Sequence, residues 1–538
     1  MKRSISLLSI CFFLLVLIFP SSELFAQKAD GFVGFKEINT EVVNEIHLST
    51  KDDNWRYMLD SLRFNGDAFL TIESATINGV SYSNSSIGYV QQAEFKADQI
   101  QRSLWLNIDG SKVLKLARIT KDPSLIRERL ATKIYNHFMV VPQVAYSKVF
   151  VNKEFYGFLI IQEQVDAAFV KQYFGNQHTS FVLKTKPVYI VGNHADCIKE
   201  SYGSLLHESN KECLDFLFYG EDKSNIHKLS QALKDDISNI EQVLDVNSAL
   251  WMLALNDVTM NFNSYNGFKS TNYYIVEDQF GRMNFIPFDF EMAFGAKKRV
   301  SSKSDFTMDQ MAKLPLAYHL DNSKYPLVRK LLSNEAYFRA YISNCRAIMN
   351  AYYDDGVYLD LAKQYQAELF DAISEDPFLG GKSEKMKANL SNTVGKRSKI
   401  PGIEEIVEAR RAFLKKETIL KILGPEVLEY SFVSRERFSN IKIEDFVLSV
   451  ETDRYTEAVK VHYRFSDKQA FISTNLMDDG QHQDQKAGDK VFGVKISPPE
   501  GYEDLEFYFE LDNSKMKSFE PNNFDRKTFR ASLKTLNE

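Results

Sequence analysis

Residues Leu253 to Gly295 read LALNDVTMNFNSYNGFKSTNYYIVEDQFGRMNFIPFDFEMAFG. The front of this stretch completes a helix, because Val246, Leu250, Leu253, Ala254 and Val258 share one face of a 3.6-residue period behind Asp245 or Asn247 as a cap. A polar loop, Asn261 to Thr271, follows. Two runs of aromatic and branched residues, Tyr273 to Glu277 and Met283 to Pro287, flank Asp278-Gln279-Phe280-Gly281, which reads as a hairpin turn. The second run ends in two carboxylates, Asp289 and Glu291. Helix, polar loop, hairpin and then acids at a strand end is a common way to supply a phosphate or metal site.

Outward toward the N-terminus, Ala145 to Val151 and Tyr156 to Gln162 alternate as a hairpin across Asn152-Lys153-Glu154. Before it, Asp122 as N-cap and Pro123 at the first helical position predict a helix. On that helix Ile126, Leu130, Ile134 and Phe138 recur every fourth residue, which leaves Arg127, Glu128 and Arg129 on an exposed or site-facing edge. Earlier still, Val33 to Ser49 reads as strands, Trp55 to Phe64 as a short helix, and Ala75 to Tyr89 as paired strands turning at Asn78-Gly79. Met1 to Ala26 carries Lys2 and Arg3, an apolar run from Leu7 to Phe19 and a small residue at Ala26, the pattern of a cleavable signal peptide. The run is too short for a confident membrane span, so the mature chain is expected outside the cytoplasm, secreted, periplasmic or in the cell envelope.

Toward the C-terminus, Tyr325 to Tyr353, Tyr358 to Ile373 and Ile403 to Leu423 read as helices, and Gly424-Pro425 as a break. Beyond the break, Val447 to Tyr463, Ala470 to Ser473, Val491 to Ile496 and Leu505 to Leu511 read as closely spaced strands, which predicts a β-sandwich module.

The 538 residues have room for two to four domains, and a net charge of -6 leaves no basic footprint for nucleic acid. Removal of the leader would leave Cys197, Cys213 and Cys345, an odd set without CxxC spacing and so neither a disulfide scaffold nor a zinc site. A bridge between Cys197 and Cys213 is the one pairing left open.

The order Asn261-Phe262-Asn263-Ser264-Tyr265, Asn272-Tyr273-Tyr274, Ile286-Pro287-Phe288-Asp289, Phe294-Gly295 resembles the N-x-D-x-Y, N-Y-Y, I-P-W-D, F-G heart of the CotH kinase family, named for the spore coat protein kinase. Asp122 to Ala131 is similar to that family's D-P-S-x-x-R-E-x-L-A helix. Val151 to Gly157 and Glu163 to Asp166 resemble its V-N-G-E-Y-x-G and E-Q-I-D, and Ile400-Pro401-Gly402 its closing helix. The resemblance spans about residues 38 to 424. It implies an α+β chain: a two-lobed atypical protein-kinase-like domain followed by the β-sandwich. In that division 1–26 is the leader, 27–190 one lobe, 191–424 a mostly helical lobe and 440–538 the sandwich.

The resemblance also implies ATP with magnesium or manganese. Asp289, aided by Asn272 and Glu291, would hold metal, unless Asp289 merely caps a strand end. Glu128 would pair a phosphate-orienting lysine, unless it is an ordinary surface charge. Adenine would meet backbone near Ile161 to Glu163, although Glu163 can instead cap a helix starting near Asp166. Two departures weaken catalysis. The family's glycine-containing basic loop is replaced by Val90-Gln91-Gln92-Ala93-Glu94-Phe95-Lys96, which leaves Lys96, Arg102, Lys112 or Lys115 to meet phosphate and Lys184 as a second choice. The family's catalytic Asp is Asn263, which cannot take up a proton; loss of a general base costs about 10²- to 10⁴-fold. Asp478-Asp479-Gly480-Gln481-His482-Gln483-Asp484 with Gly488-Asp489 resembles a loop often found behind such domains, read as a calcium site or a hydrogen-bonded turn.

Together these residues imply a degraded kinase, a pseudokinase with a binding or structural role in the cell envelope. Two alternatives stay open: an active secreted kinase acting on Ser/Thr of an exported protein, and a surface adhesin or glycan-associated binding protein.

Overall fold

Phe158 and Ile160 face one side of their strand and Leu159 and Ile161 the other, yet all four are buried. A strand with both faces apolar must be covered on both sides. Here Leu159 and Ile161 join one core with Trp55 and Leu59, while Phe158 and Ile160 join a second, larger core built from helices. The computed structural model describes residues 25–27, 32–62, 69–90, 101–110, 112–175, 182–184, 224–268, 270–300, 304–376, 378–432, 444–484 and 486–537. Lys96, Cys197, Cys213 and the leader up to residue 24 lie outside them.

The chain is α+β. After β1 (Phe25–Gln27) come β2 (Val43–Ser49), β3 (Leu70–Ile72), β4 (Ser74–Ile77), β5 (Val80–Tyr82), β6 (Ser85–Tyr89), β7 (Leu104–Ile108), β8 (Lys112–Ala117), β9 (Val144–Val151) and β10 (Glu154–Gln162). Strands β2 to β10 form a nine-stranded sheet in the order β3-β6-β7-β8-β10-β9-β2-β4-β5, antiparallel throughout except where β2 runs parallel to β9. The expected turn at Asn78-Gly79 joins β4 to β5, with both residues at positive φ. Three strands, β11 (Val182–Lys184), β12 (Tyr273–Glu277) and β13 (Met283–Pro287), make a second sheet. The β12–β13 hairpin closes at the expected turn, where Asp278 Oδ1 accepts from the backbone N–H of Phe280 and Arg282.

The helices are α1 (Trp55–Leu62), α2 (Arg127–Phe138), α3 (Ala167–Phe174), α4 (Ser224–Lys234), α5 (Val246–Val258), α6 (Met308–Ala312), α7 (Pro326–Leu332), α8 (Glu335–Ile348), α9 (Val357–Ser374), α10 (Ser383–Ser391) and α11 (Ile403–Leu414). Asp245 caps α5, accepting from Ser248 N–H. The one-faced pattern expected of α5 understates it, because every residue but Asn247 is buried. Trp251 at its centre stacks on Phe138 of α2 at 4.7 Å. The single helix expected over Tyr325 to Tyr353 is broken: Asn334 caps α8 through two backbone N–H groups, and α8 runs into a π-helical turn, Met349–Asp354. The helix expected to reach Leu423 stops at Leu414 and resumes for one turn, Thr418–Lys421.

The start of α2 also differs from expectation. Leu125 sits at φ +61, a conformation no helix can include, so α2 begins at Arg127 and Asp122 is no N-cap. Asp122 instead accepts from Ser124 N–H, Arg127 N–H and the Arg127 guanidinium. Of the two placements expected for the charged edge, exposed or site-facing, the exposed one is excluded: Arg127, Glu128 and Arg129 are at most 5% accessible. Arg127 reaches Asn389 Oδ1 at 2.8 Å and Pro401 O at 2.6 Å, tying α2 to α10 and the entry of α11.

After Gly424, β14 (Val427–Ser431), β15 (Phe446–Thr452) and β18 (Val491–Ile496) form one sheet. The other holds β16 (Ala458–Arg464), β17 (Ile472–Leu476), β19 (Asp504–Asp512), β20 (Lys517–Glu520) and β21 (Lys527–Ser532), with β1 on β21. Leu448 and Val450 of the first sheet share a core with Val461, Phe507 and Phe529 of the second. Strand β1 straddles the boundary expected for leader cleavage. None of the described helices is long and apolar enough to cross a membrane. Cys345 is buried and free.

Arg127→Leu should lower unfolding stability by about 3–5 kcal/mol, because it strands the buried Asp122 carboxylate without its cation. A urea titration of wild type and variant measures this, and a loss below about 1 kcal/mol would refute the anchoring role.

Candidate functional site

Four segments converge on one cluster of acids, in which Glu128 is buried and Asp289 and Glu291 are partly exposed: the end of β8, the first turn of α2, the loop from Asn261 to Asn272, and the turn after β13. The register of β8 on β10 sets Lys115 opposite Gln162. Gln162 Nε2 donates to Glu128 Oε1 at 3.4 Å. Burial pushes the Glu128 carboxyl well above the usual carboxylate range, and the charges of Asp289 and Glu291 push it further; Lys115 and the Glu291 backbone amide oppose them. Glu128 Oε2 is buried without a hydrogen-bond partner.

Asp289 is held by its backbone. Phe288 N–H donates to Asn272 O at 3.1 Å, Asn272 Nδ2 to Asn263 O at 2.8 Å, and Asn263 Nδ2 to Asp289 O at 3.1 Å. Asn272 and Asp289 are both at φ +62, with Met260, Ser270 and Phe294 also at positive φ nearby. Such residues cost about 1–3 kcal/mol each and gather where structure over-determines them, commonly at functional sites. Gly267 allows the loop to close, since a Cβ there would lie 1.8 Å from Phe262 O.

Glu291 comes near Glu128 through this turn and not by strand alternation, because β13 ends at Pro287. Its Oε1 accepts the backbone N–H of Thr120 at 2.6 Å, of Lys121, and of Asp122 at 3.3 Å. Burial raises its pKa to about 7, with the Asp289 charge adding to the rise and the Lys121 amide opposing it. Glu291 therefore stitches the turn to the segment that leads into α2.

Among the described residues no three His, Cys, Asp or Glu side chains form a group that could hold a metal ion. The donor set fits a different arrangement. Magnesium in nucleotide sites is typically bound by one or two carboxylates plus substrate phosphates, and the unpartnered Glu128 Oε2 with Asp289 supplies two such groups. The Asn272 amide donates one hydrogen to Asn263 O, and its oxygen is the atom that could meet a cation.

The other expected contacts scatter. Arg102 is buried, ion-paired with Asp60 and stacked over Tyr89 at 4.7 Å. Lys184 ends β11, paired to Tyr274 of β12. Glu163 does not cap a helix, a role taken by Asp166 through Phe169 N–H. Its two oxygens accept from Val33 N–H at 2.6 Å and Gln143 N–H at 2.9 Å, and burial raises its pKa to about 8. Asp257, the carboxylate six residues before Asn263, is bonded to Tyr341 and Asn266. Calcium at the Asp478 to Asp489 loop is not supported: Asp478 accepts from the backbone N–H of Gly488, Asp489 and Lys490, and Asp484 from Gly480 and His482, so these carboxylates serve the turn. Lys115 stands among four alternatives in sequence, with Lys96, Arg102 and Lys112. Its β8–β10 register singles it out.

A sequence profile described as CotH kinase protein matches residues 89–414, more than half of the chain. No curated protein sequence matches significantly. Among solved structures, a Helicobacter pylori proinflammatory kinase, CtkA, is similar at 10% identity over 61% of this chain and 96% of that one. Its TM-score of 0.24 is too low to carry an argument.

Glu128 and Glu291 bind protons more tightly folded than unfolded, so their contribution to stability is full below a pKa of about 4.5 and is lost as pH rises, for Glu291 through about 7. Glu128→Gln should therefore gain melting temperature relative to wild type as pH goes from about 5 to about 8. A difference between the two melting curves that does not change with pH would refute the buried-acid assignment.

Proposed function

The chain belongs to the CotH kinase protein family, and from that premise we propose that it is a nucleotide-binding pseudokinase, exported through its N-terminal leader and acting by binding in the cell envelope. In this reading the nine-stranded sheet and the helical body are the two lobes of an atypical kinase-like domain, and the paired sheets after Gly424 are a β-sandwich. The observation that carries it is the Lys115, Glu128 and Asp289 constellation between the two lobes.

Lys115 takes the phosphate-orienting role in place of the altered basic loop, with Glu128 steadying it. Glu128 and Asp289 would hold the magnesium or manganese that accompanies ATP, and that ion would neutralise phosphate charge there. Burial of Glu128 keeps water from its carboxyl and strengthens the interactions it makes.

Transfer fails for lack of a base. Asn263 occupies the family's Asp position, and its amide is committed as a donor to the Asp289 carbonyl, a bond a carboxylate could not make. The substitution thus serves the geometry of Asp289 while removing the proton acceptor.

ATP with magnesium or manganese should raise the melting temperature of the protein, by about 2.7 kcal/mol of stabilisation at a hundredfold excess over Kd. Asp289→Ala should abolish that rise, and intact mass should show no phosphate gained. Phosphate incorporation by wild type would replace this reading with an active kinase. No melting response to nucleotide would remove both.

A further inference from the structure

Behind α2 lies a cavity of about 120 Å³ bordered by Thr40, Glu41, Arg129, Thr132, Lys133 and Tyr365. That is room for about four waters at roughly 30 Å³ each, or one small polyatomic ion. Arg129 is 3% exposed, and its guanidinium is clamped between Tyr365 at 3.8 Å and Tyr146 at 5.0 Å, so its plane is fixed. Nη1 donates to Glu368 at 2.6 Å, whereas Nε and Nη2 are buried with no hydrogen-bond partner. Those two nitrogens form the edge that grips an oxyanion with two parallel bonds. Thr132, also 3% exposed, leaves its Oγ1 without a partner beside them.

The cavity already attracts one oxyanion. Glu41, a half-exposed side chain, reaches in to lie 3.0 Å from Lys133 Nζ but only 3.9 Å from Arg129 Nη2, too far for a hydrogen bond. Its carboxyl is held below the usual range: partial burial opposes this, and Lys133 and Arg129 outweigh it. A planar carboxylate on a tether thus meets Lys133 and leaves the fork of Arg129 and the Thr132 hydroxyl unused.

We propose that this cavity is a binding site for a free tetrahedral oxyanion of the phosphate class, held by the Nε–Nη2 edge of Arg129, Thr132 Oγ1 and Lys133 Nζ, with Glu41 displaced. Donors on three residues suit the several oxygens of a phosphate better than the two of a carboxylate. The site is separate from the acid cluster, although Arg129 follows Glu128 on α2.

Titration of inorganic phosphate into the full chain at constant ionic strength, read by calorimetry and melting temperature, should give a saturable response that acetate and chloride do not. Glu41→Gln, which removes the internal competitor, should tighten phosphate about tenfold; Lys133→Gln and Thr132→Val should weaken it about tenfold. Lys115→Met should leave it unchanged, which separates this cavity from the proposed nucleotide site. Glu41 and Lys133 are half-exposed, so folding is not at stake in their variants. The proposal is overturned by an absent or unsaturable response, by equal binding of acetate, by a response indifferent to Glu41→Gln and Lys133→Gln, or by its loss in Lys115→Met.

Discussion

Arg127 has no access to solvent, and a guanidinium with no water must find its partners in the protein or remain a large uncompensated cost. It finds Asp122 and Ser124 in the loop before its own helix, Asn389 on α10 and the Pro401 carbonyl before α11. One side chain therefore fixes the entry to α2 against two helices more than 250 positions away in sequence. Arg129, two residues on, adds a bond to Glu368 of α9. Glu128 lies between these two anchored residues. Its carboxylate cannot retreat from Asp289 and Glu291 without breaking the ties on either side.

That constraint explains how three acids can share one site. Left free, like charges would separate or a carboxylate would turn to solvent. Here each is prevented by a different device. Glu128 is fixed through α2, Asp289 through the chain of amides from Asn272 and Asn263, and Glu291 through the backbone N–H groups of Thr120 to Asp122. The raised pKa values of Glu128 and Glu291 are the residual tension, and Lys115 offsets only part of it. A site in this condition favours cations, whether protons or metal.

Local chemistry made much of this legible in sequence. The Asp278 turn, the Asp245 cap and the hairpin of β9 and β10 depend on neighbours within a few residues, and the structure keeps them. What escaped depends on distant partners. Leu125 carries no mark of its positive φ, because Asp122 and Arg127 impose that turn only once Arg127 is buried. Helical periodicity left the charges of α2 at an exposed or site-facing edge, since it cannot register that α9, α10 and the entry of α11 cover that face. Lys115 looked like any strand lysine until the β8–β10 register set it beside Gln162. At Asn263 the sequence offers only a resemblance to a base position, and the bond to the Asp289 carbonyl is what shows the part its amide plays in the fold.

The other end of α2 is bound as well, from an unexpected quarter. Its last carbonyls have no intrahelical donors, and Asn523 Nδ2 meets His137 O at 3.3 Å while Arg526 Nε meets Asn136 O at 3.0 Å. Tyr508, Met516 and Phe524 join the core of the helical body, where Phe524 lies against Trp251, the same ring that stacks on Phe138. The segment after Gly424 is thus no appendage, because its contacts fall on the helix that carries Glu128. With Arg127 tied to the Pro401 carbonyl at one end and Arg526 to the Asn136 carbonyl at the other, the helix that carries Glu128 is positioned by the helical body and the C-terminal strands together.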